Sequence, residues 1–476
     1  ERLGALAAPS STSEELFLLQ RLVRGLGSNN VDHRLRQRDF TGDANDAAVP
    51  GFPFGLDRLE TADAVLIVGG YPRHDQPLLN HRIRKAALRG ARVCVVDSYA
   101  QPYNFELAAR ISVRPGEFAG VLAGITRAAA DAAGDGAVTA ALGSVAVSDA
   151  QRAIASALRD AENSFVIVAG DVERATQRAD WLNRCAAIAA LTGSQLGQAT
   201  DGANAAGAWL AGAVPHRGPA GATLATPGKT VADMFAGGLE ACVLLGVEPD
   251  RDCADPKAAM AALAQARCVV ALSAFASPSL LQVAHVLLPI AGFAENEGSY
   301  VNATGLWQSF ASAVKPPGDA RPAWKVLRVL GERLGLDGFD AVSVAAVHAE
   351  LQTLAGSLAP QARAAAAQTP THTGKVDGLE RIDALPLYAG DALVRRAPAL
   401  QSTVGAADDS VRVSAATAAT LGLAAGARVT VMAGDVSVAS TLAIDEAVPA
   451  GACLIHAGSA LAAQLPASVA VQLGGA

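Results

Sequence analysis

The sequence predicts an α/β protein that ends in a small all-β domain, and two observations predict this class. Short apolar runs such as FVIVA at 165–169 and CVVAL at 268–272 alternate with alanine-rich helical patterns. Strands this uniformly apolar are buried on both faces, which is typical of a parallel sheet covered by helices. Beyond residue 380 the apolar period changes to two, as in RVTVMAGDVSVAS at 428–440. We therefore expect doubly wound α/β structure from residue 1 to about residue 345 and a β-barrel near the C-terminus.

The composition limits the number of domains and the class of partner. The chain has 476 residues, of which 51% are apolar, and a net charge of −7. This length predicts two or three domains, and the lack of a basic block argues against nucleic acid as a partner. Gly, Pro or charged residues interrupt every apolar stretch within about ten residues, so we expect a soluble protein without a membrane-inserting segment.

The cysteines predict neither a metal site nor an iron–sulfur cluster, because they occur singly and no C-x-x-C spacing is present. Few scattered cysteines and no signal peptide fit a reducing cytoplasm. The chain begins at Glu1 rather than at methionine, and we expect it to be a fragment of a longer protein. The six cysteines are Cys94, Cys185, Cys242, Cys253, Cys268 and Cys453.

The first elements follow from capping and turn signals. Ser11 and Thr12 each precede a glutamate by three residues, which is the spacing of a capping box, so a helix is expected to follow and to stop near Gly25. Apolar strands are expected at 64–68 and 93–96, joined by a helix of about twelve residues. Two parallel strands joined by a helix form a βαβ unit.

The alternation of strands and helices continues along the chain as far as the predicted linker. Further strands are expected at 165–169, 241–246, 268–272 and 285–290, and further helices at 150–161 and 256–266. Residues 355–380 show little apolar periodicity, and residues 346–383 are interpreted as a linker. Gly434 and Asp435 lie between two alternating segments, which predicts a hairpin turn in the barrel.

One glycine turn lies where open α/β sheets bind ligands. Gly69, Gly70, Tyr71 and Pro72 follow the first strand of the βαβ unit, and Asp97 closes its second strand. Because ligands bind beyond the carboxyl ends of parallel strands, these residues are candidates for a binding site. The turn does not match G-x-G-x-x-G, and a turn is needed in any case to leave a strand, so both interpretations stay open.

No residue pattern predicts nucleophilic or metal-dependent catalysis. No serine lies in G-x-S-x-G, no histidine has a second ligand at metal spacing, and TPGKT at 226–230 lacks the first glycine of a P-loop. We therefore assign no catalytic residue and no metal ligand.

Two groups of basic residues are candidates for contact with a partner protein. Alternation would place the first group on one side of an extended segment, and it consists of Arg34, Arg36 and Arg38. The second group lies on the polar face of the helix at 78–89 and consists of Arg82, Arg84 and Lys85. A solvated strip of charge is an equally good interpretation of the first group, and plain surface exposure of the second.

The stretch FAENEGSYVNATGLWQSF at 293–310 combines carboxylates with glycine turns. Glu295 and Glu297 would lie about 6.5 to 7 Å apart on one side of an extended segment, which suits a shared cation or an acid–base pair. Hydrated carboxylates in a loop are the alternative. Asn302 leads into the turn at Gly305 and is a further candidate for a place in the wall of a pocket.

Several longer runs resemble the family of G subunits of bacterial NADH:quinone oxidoreductase, respiratory complex I. The spacings P-L-x-N-x-R-I-R-K and A-R-P-A-W-K are fairly specific to that family. The resemblance extends from the first residues to about residue 460 and includes the loop FAENEGSYVN. The other runs are STSEELFLLQRLVRGLGSNNVDHRLRQRDF at 11–40, DQPLLNHRIRKAALRGA at 75–91, ARPAWKVLRVLG at 320–331 and DALVRRAPALQST at 391–403.

The resemblance implies a fold as well. That family shares its large C-terminal part with molybdopterin oxidoreductases such as formate dehydrogenase, which implies interleaved α/β domains and a C-terminal six-stranded, double-psi-like barrel. The barrel would resemble a molybdopterin-dinucleotide-binding domain. The expected domains are a host domain at 1–29 and 150–345, an inserted domain at 30–149, the linker at 346–383 and the barrel at 384–476.

The resemblance also implies that the cofactor pocket is closed or vestigial. In the molybdenum enzymes the turn after the first strand commonly reads G-x-N-P, whereas this chain has Gly70-Tyr71-Pro72. The segment after V-N usually reads E-G-R, whereas Thr304-Gly305-Leu306 stands here, so an arginine donor is missing. We expect no molybdopterin. The residues expected to line the vestigial pocket are Gly69, Gly70, Tyr71, Pro72, Asp97, Glu297 and Asn302.

The function implied by the resemblance is that of a scaffold. Full-length family members carry [2Fe-2S] and [4Fe-4S] clusters on an N-terminal region with C-x-x-C spacings, and none of that region is present in this sequence. The chain would support NADH-to-quinone electron transfer in the peripheral arm of the proton-translocating complex, on the cytoplasmic face of the inner membrane. Its partners would be the NADH-binding subunit and the hydrophilic iron–sulfur subunits. An active molybdopterin-dependent oxidoreductase fragment and a plain nucleotide-binding module remain alternatives.

Overall fold

The computed structural model describes residues 2–369, 376–467 and 470–475. Glu1 and residues 370–375 of the predicted linker therefore lie outside the described residues. The chain divides into two compact units, each formed by two separate stretches of sequence. The first unit comprises Glu1–Gly51 and Thr200–Gln361, and the second comprises Phe52–Ala199 and Ala362–Ala476.

The secondary structure alternates between strands and helices over most of the chain. The strands are β1 (Leu3–Ala7), β2 (Val31–Asp32), β3 (Ala64–Val68), β4 (Arg92–Asp97), β5 (Ala109–Ser112), β6 (Ser164–Val168), β7 (Gln195–Gln198), β8 (Ala241–Leu245), β9 (Cys268–Ser273), β10 (Val286–Pro289), β11 (Gly298–Val301), β12 (Trp307–Phe310), β13 (Leu379–Ala384), β14 (Ser410–Val413), β15 (Arg428–Ala433), β16 (Val436–Ile444), β17 (Ala452–His456) and β18 (Ala470–Gly475).

The α-helices are α1 (Ser13–Gly25), α2 (Pro72–Asp75), α3 (Pro77–Leu88), α4 (Pro115–Ala133), α5 (Gly136–Leu142), α6 (Asp149–Arg159), α7 (Gly170–Arg174), α8 (Arg178–Thr192), α9 (Ala205–Ala211), α10 (Val231–Phe235), α11 (Pro249–Asp252), α12 (Pro256–Gln265), α13 (Pro278–Val283), α14 (Ala323–Arg333), α15 (Val344–Ala355), α16 (Pro398–Gln401), α17 (Ala415–Leu421) and α18 (Ala460–Gln464). Within the described part of the chain, none of these helices combines the length and the hydropathy that a membrane crossing requires.

The first unit is built on a five-stranded parallel sheet with the order β10-β9-β8-β1-β2. Successive side chains of a strand point to opposite faces, and the central strand β1 follows this rule. Ala5 and Ala7 belong to the same buried cluster as Leu16 of α1, whereas Leu6 belongs to a second cluster with Leu263 of α12. Both faces of the sheet are therefore covered by helices, as the uniformly apolar strands predict.

The second unit contains another five-stranded parallel sheet, with the order β5-β4-β3-β6-β7. Leu66 of β3 pairs with Cys94 of β4 on one side and with Val166 of β6 on the other. Helices α4 and α8 pack together over one face, where the rings of Phe118 and Trp181 stack with their centroids 4.0 Å apart. The predicted βαβ unit of β3, α3 and β4 is confirmed.

The second unit also holds a closed barrel with the strand order β13-β17-β14-β16-β15-β18. Its interior is apolar, with Val411, Val429 and Ile455 fully buried. Ala433 pairs with Val436 across the turn at Gly434, whose φ of 59° is left-handed and therefore favours glycine. The change of apolar period near residue 380 thus predicted the barrel and its hairpin correctly.

The unit boundaries differ from the predicted domain boundaries. Residues 150–199, which we expected in the host domain, belong to the second unit because β6 and β7 extend the sheet of β3. Residues 30–51 belong to the first unit because Val31 of β2 pairs with Ala5 of β1. An apolar strand pattern predicts that a strand is buried but does not say in which sheet, so these assignments depend on pairing that is not visible locally.

The predicted linker at 346–383 is partly structured. Helix α15 extends to Ala355 and buries Val347 and Leu351, and strand β13 begins at Leu379. The buried positions of α15 are four residues apart, which is a helical period. That signal is weak in the sequence because alanine and polar residues fill most of the other positions.

Candidate functional site

The predicted glycine turn lies at a reversal of strand order in the second unit. From β3 the chain continues to β4 and β5 on one side of the sheet, and later adds β6 and β7 on the other side. The turn after β3 and the turn after β6 therefore lie side by side at the carboxyl edge, and Asp171 N donates a hydrogen bond to Gly69 O at 3.2 Å. Open α/β sheets bind ligands at such a point, so this edge is the candidate site.

Both glycines of the turn are required by their conformation and by close neighbours. Gly69 and Gly70 have φ values of +62° and +129°, which side chains other than glycine adopt only with strain. A Cβ on Gly69 would lie 2.7 Å from Val172 Cγ2, and a Cβ on Gly70 would lie 2.9 Å from Ala169 Cβ. The turn is thus packed closely against the segment that follows β6.

Tyr71 is buried in the turn and is hydrogen-bonded within the unit. Its side chain is 6% exposed, and its hydroxyl donates a hydrogen bond to Pro102 O. The ring of Tyr103 meets it edge-on at 5.3 Å between centroids, and the Tyr103 hydroxyl donates to Gly70 O at 3.4 Å. Burial, followed by the charge of Asp97, raises the pKa of Tyr103, which remains a neutral donor. Pro72 is buried and begins α2.

Asp97 lies at the end of β4 and accepts hydrogen bonds from the neighbouring strand β5. Its Oδ2 lies 2.5 Å from Arg110 Nη2, and its Oδ1 accepts from Ser112 Oγ at 2.6 Å. Burial raises the pKa of Asp97, and these two donors oppose that shift. Both carboxylate oxygens are therefore engaged by the protein itself.

A buried polar cluster beyond β6 and β7 was not predicted. Arg178, which is 1% exposed, donates from Nε to Glu173 Oε2 at 2.9 Å, and Gln198 Nε2 donates to Glu173 Oε1 at 2.5 Å. Glu173 lies in α7 just after β6, a predicted strand, and this position was the available signal, whereas Gln198 ends β7, a strand that the sequence analysis did not predict.

Glu297 and Asn302, the other two expected pocket residues, belong to the first unit. Asn302 closes the turn between β11 and β12, where its Oδ1 accepts hydrogen bonds from the backbone N of Thr304 and of Leu306, both at 3.0 Å. Glu297 Oε1 accepts from Trp324 Nε1 at 3.3 Å and lies 3.5 Å from Lys325 Nζ. Both side chains thus have partners within the unit.

The pair Glu295 and Glu297 does not form a shared cation site. Residues Phe293–Glu295 form a short 3-10 helix in which Glu295 Oε2 accepts from Gly292 N at 2.9 Å. The segment is therefore not extended at this point, and the two carboxylates have different partners. Among the residues that the structure describes, no group of three or more His, Cys, Asp or Glu side chains is placed to hold a metal ion.

The strand that follows this segment is tied to the start of α1 by a buried network. Glu14 accepts hydrogen bonds from Ser299 N at 2.8 Å and Ser299 Oγ at 2.7 Å, and its Oε1 lies 2.9 Å from His348 Nδ1. Gly298 allows this approach, because a Cβ there would lie 2.8 Å from Glu14 Oε2. The only signal in the sequence near Glu14 was the capping pattern, and its link to Ser299 was missed.

Two further side chains complete the network. Asn204, which is fully buried, donates from Nδ2 to Ser11 O at 2.8 Å and accepts from Val301 N at 2.7 Å. Glu15 closes the predicted capping box with Thr12, and its Oε1 accepts from Asn296 Nδ2 at 2.8 Å. Burial raises the pKa of Glu15, and its hydrogen bonds to Thr12 and Asn296 oppose the shift. The segment 296–301 is thus anchored at several points.

The chain matches known proteins in sequence and in fold. The molybdopterin oxidoreductase family matches residues 2–333. The chain belongs to this family. The G subunit of NADH-quinone oxidoreductase from Streptomyces coelicolor is 28% identical over 385 residues, which cover 70% of this chain and 43% of that protein. The G subunit of the same enzyme from Mycobacterium bovis is 27% identical over 465 residues, which cover 87% and 53%.

These matches confirm the predicted resemblance to the G subunits, and the chain spans about half or less of the length of these relatives. Acetylene hydratase from Pelobacter acetylenicus has the same fold, with a TM-score of 0.69 at 14% identity over 96% of this chain and 79% of that chain. At this identity the likeness shows the fold alone. It confirms the predicted architecture of doubly wound sheets with a barrel.

In this member of the molybdopterin oxidoreductase family, the first basic group, which consists of Arg34, Arg36 and Arg38, is not an exposed strip of charge. The segment turns, with Gln37 N donating to Arg34 O at 3.1 Å, so the expected extended conformation is wrong. Arg34 is 8% exposed, binds Asp32 through Nε at 2.9 Å and Nη2 at 3.0 Å, and reaches Asp43 through Nη1 at 2.7 Å. Arg36 lies 3.2 Å from Asp252, and Arg38 has a partner as well.

Two histidines lie beside this ion cluster. Burial lowers the pKa of His33 to about 4, and its Nδ1 lies 2.9 Å from Ala213 O. Burial and then the charge of Arg34 lower the pKa of His216 to about 4, although its Nδ1 lies 3.3 Å from Asp43 Oδ2. Both rings are therefore neutral at pH 7, and the contact with Asp43 is not an ion pair there.

The second basic group lies on the surface of the second unit, as expected. Arg82 and Lys85 of α3, whose side chains are about two-fifths exposed, form ion pairs with Glu60. Arg84 donates from Nε to Asn104 O at 3.4 Å. This face of α3 remains the candidate for contact with a partner protein.

Proposed function

We propose that the chain is a structural region of NADH-quinone oxidoreductase that supports electron transfer from NADH to quinone without a redox centre of its own. The relatives named as G subunits of NADH-quinone oxidoreductase support the assignment to that complex. Its partners would be the NADH-binding subunit and the hydrophilic iron–sulfur subunits, on the cytoplasmic face of the membrane. The [2Fe-2S] and [4Fe-4S] clusters would be held by other parts of the complex.

The observation that carries the scaffold role is the burial of Tyr71 in the glycine turn. Its hydroxyl donates to Pro102 O, and the ring is enclosed by Tyr103. The turn therefore has a bulky ring at the place where the molybdenum enzymes commonly have an asparagine. Without that amide, a polar cofactor atom at this place would lose a hydrogen bond at a cost of about 1–3 kcal/mol.

The contacts of Asp97 also support the proposal that this edge holds no pterin nucleotide. Arg110 and Ser112 each donate to one of the two carboxylate oxygens of Asp97, so the carboxylate is held towards β5 by the protein itself. The Arg110 guanidinium is in turn engaged with Asp97 and with Gln101 O at 2.9 Å. These side chains thus bind one another at the edge where a nucleotide would have to bind.

The experiment separates assembly from electron transfer. Tyr71→Ala in the assembled complex should reduce the amount of complex, because truncating a buried aromatic side chain costs about 3–5 kcal/mol. NADH:quinone reductase activity per assembled complex should stay unchanged. Tyr71→Phe, which keeps the ring, is the matched control and should assemble almost normally. A tenfold loss of activity per assembled complex with normal assembly would contradict the scaffold role.

A molybdopterin-dependent oxidoreductase related to formate dehydrogenase is the second candidate. The match of the molybdopterin oxidoreductase family over residues 2–333 favours it. Molybdenum or tungsten bound with a pterin at near unit stoichiometry would support this candidate over the first.

A further inference from the structure

An open groove lies in the first unit along α14, and two of its lining residues, Trp324 and Lys325, are the partners of Glu297 described above. Its volume is about 670 Å³, which is within the range of protein sites that bind sizeable ligands. Apolar side chains form its floor and walls. They are Leu288 of β10, Trp324, Val326, Val329 and Leu330 of α14, and Ala341 and Val342 before α15.

Part of this apolar surface is open to solvent. Val329 is 43% exposed and Val342 is 89% exposed. Burying such side chains against a partner is favourable, at about 25 cal/mol for each Å² of apolar surface removed from water. The groove therefore has the apolar centre that a docking surface requires.

The rim of the groove is positively charged. Arg321, Lys325 and Arg328 contribute to its lining, and the described lining contains no carboxylate. Lys325 lies 3.5 Å from Glu297 and Arg328 lies 3.2 Å from Glu332, but all four side chains are about one-third to three-fifths exposed. Exposed ion pairs of this kind are worth at most about 1 kcal/mol, so an incoming carboxylate can replace the present partner.

Arg321 differs from the other two cations. Its Nη1 donates to the backbone oxygens of Gly318 at 3.1 Å and Ala320 at 2.8 Å. These bonds fix the guanidinium next to the groove without neutralising its charge. Lys325 and Arg328 then follow three residues apart on α14, a rise of about 4.5 Å along the helix.

We propose that this groove docks an apolar segment of a partner polypeptide that carries two or more carboxylates. A row of separate cations matches repeated carboxylates along a chain better than the single headgroup of a fatty acid or lipid. The inference rests on the proposed function for the identity of the partner, which would be another subunit of the complex. The groove itself defines the chemistry of the docked segment.

The test uses a photo-crosslinking side chain in the assembled complex. p-Benzoylphenylalanine in place of Val342 should crosslink to one segment of another chain, and peptide sequencing should find carboxylates among its apolar residues. Reversing the rim with Lys325→Glu and Arg328→Glu should lower the crosslink yield about tenfold, since like charges would then face each other. Arg152→Glu and Arg159→Glu on α6, which also reverse exposed arginines with acidic neighbours, form the control and should leave the yield unchanged.

Several outcomes overturn the inference. These are a complex that assembles without any crosslink, a crosslink to lipid, a segment without carboxylates, or a yield that does not respond to charge reversal at the rim. Each leaves the proposed function standing, because assembly is scored separately. Failure of the unmodified chain to assemble with the other subunits would instead contradict the proposed function.

Discussion

Glu14 accepts both hydrogen bonds that Ser299 can donate, one from the backbone N at 2.8 Å and one from Oγ at 2.7 Å. The two residues are 285 positions apart in the sequence, and both are fully buried. The carboxylate also lies 2.9 Å from His348 Nδ1 of α15. Glu14 thus fixes the strand that contains Ser299 to the start of α1 and to α15.

Replacing Glu14 should destabilise the first unit strongly. Glu14→Ala would leave the Ser299 N–H buried without its acceptor and the Ser299 hydroxyl with only His348 Nδ1, at 3.1 Å, as a partner, at a cost of roughly 2 kcal/mol or more in the free energy of unfolding. Urea unfolding followed by tryptophan fluorescence measures it, because Trp209, Trp307 and Trp324 all belong to this unit. The control Glu350→Ala removes an exposed partner of Arg21 and should cost less than about 1 kcal/mol. Equal effects of the two substitutions would refute the role of Glu14.

Gly298 should tolerate no side chain. Its φ is +153°, and a Cβ would lie 2.8 Å from both Glu14 Oε2 and Thr12 Cγ2, so Gly298→Ala should lower the free energy of unfolding by about 2 kcal/mol. Gly120→Ala is the control, because Gly120 is helical and has open space around it. That control should be neutral or stabilising by up to about 1 kcal/mol. A stable Gly298→Ala variant would mean that the segment is not held against α1.

Arg34 should act as a structural residue and not as a contact residue. Arg34→Ala would leave Asp32 buried without its cation, which costs about 3–5 kcal/mol. Arg34→Lys should recover only part of this loss, because one ammonium cannot replace the bidentate contact with Asp32 together with the bond to Asp43. Arg82→Ala, which breaks a surface pair with Glu60, should cost less than about 1 kcal/mol. Thermal unfolding of the three variants gives the ranking, and a wild-type Tm for Arg34→Ala would contradict it.

The first unit should lose stability in mild acid through His216. Its pKa is about 4 in the folded protein and near 6.5 in the unfolded chain, so the unfolded state binds the proton first as the pH falls. The contribution of neutral His216 to the free energy of unfolding is fully present well above pH 6.5 and decreases as the pH falls towards 4. Between pH 7 and pH 5 the decrease is about 2 kcal/mol.

The variant His216→Phe isolates this effect, because it keeps the aromatic contact with Trp209 and removes the titrating group. Between pH 7 and pH 5 the free energy of unfolding of this variant should fall by about 2 kcal/mol less than that of the unsubstituted protein. The titration of His33 is the same in both proteins, so its contribution cancels when their pH dependences are compared. An identical pH dependence of the two proteins would show that His216 is not buried in its neutral form.

Local signals in the sequence predicted the elements but not their long-range partners. The capping box at Thr12, the glycine turn at Gly69 and the hairpin at Gly434 each depend on a few neighbouring residues, and all three are present. The pairing of β6 with β3 and the bond from Ser299 to Glu14 join residues far apart in sequence. No period or spacing encodes such partners, so residues 150–199 fall in a different unit from the predicted host domain.

The candidate site shows the same limit. The turn at Gly69 and Gly70 was located correctly, because a glycine pair after a buried strand has few other uses. The alternation of Arg34, Arg36 and Arg38 predicted an exposed strip of charge. In the structure the guanidinium of Arg34 is buried, where it forms ion pairs with Asp32 and Asp43. A charged residue beside an oppositely charged one is thus as consistent with a buried ion pair as with an exposed strip.

The most direct test of the scaffold role is the cofactor content of the complex that contains this chain. The chain is affinity-tagged in its host, the complex is purified in mild detergent, and molybdenum, tungsten and pterin are measured for each mole of tagged chain. We predict that other subunits of NADH-quinone oxidoreductase copurify with NADH:quinone reductase activity, while molybdenum, tungsten and pterin stay far below unit stoichiometry. A chain that purifies without those subunits and carries molybdenum and pterin at near unit stoichiometry would contradict the account.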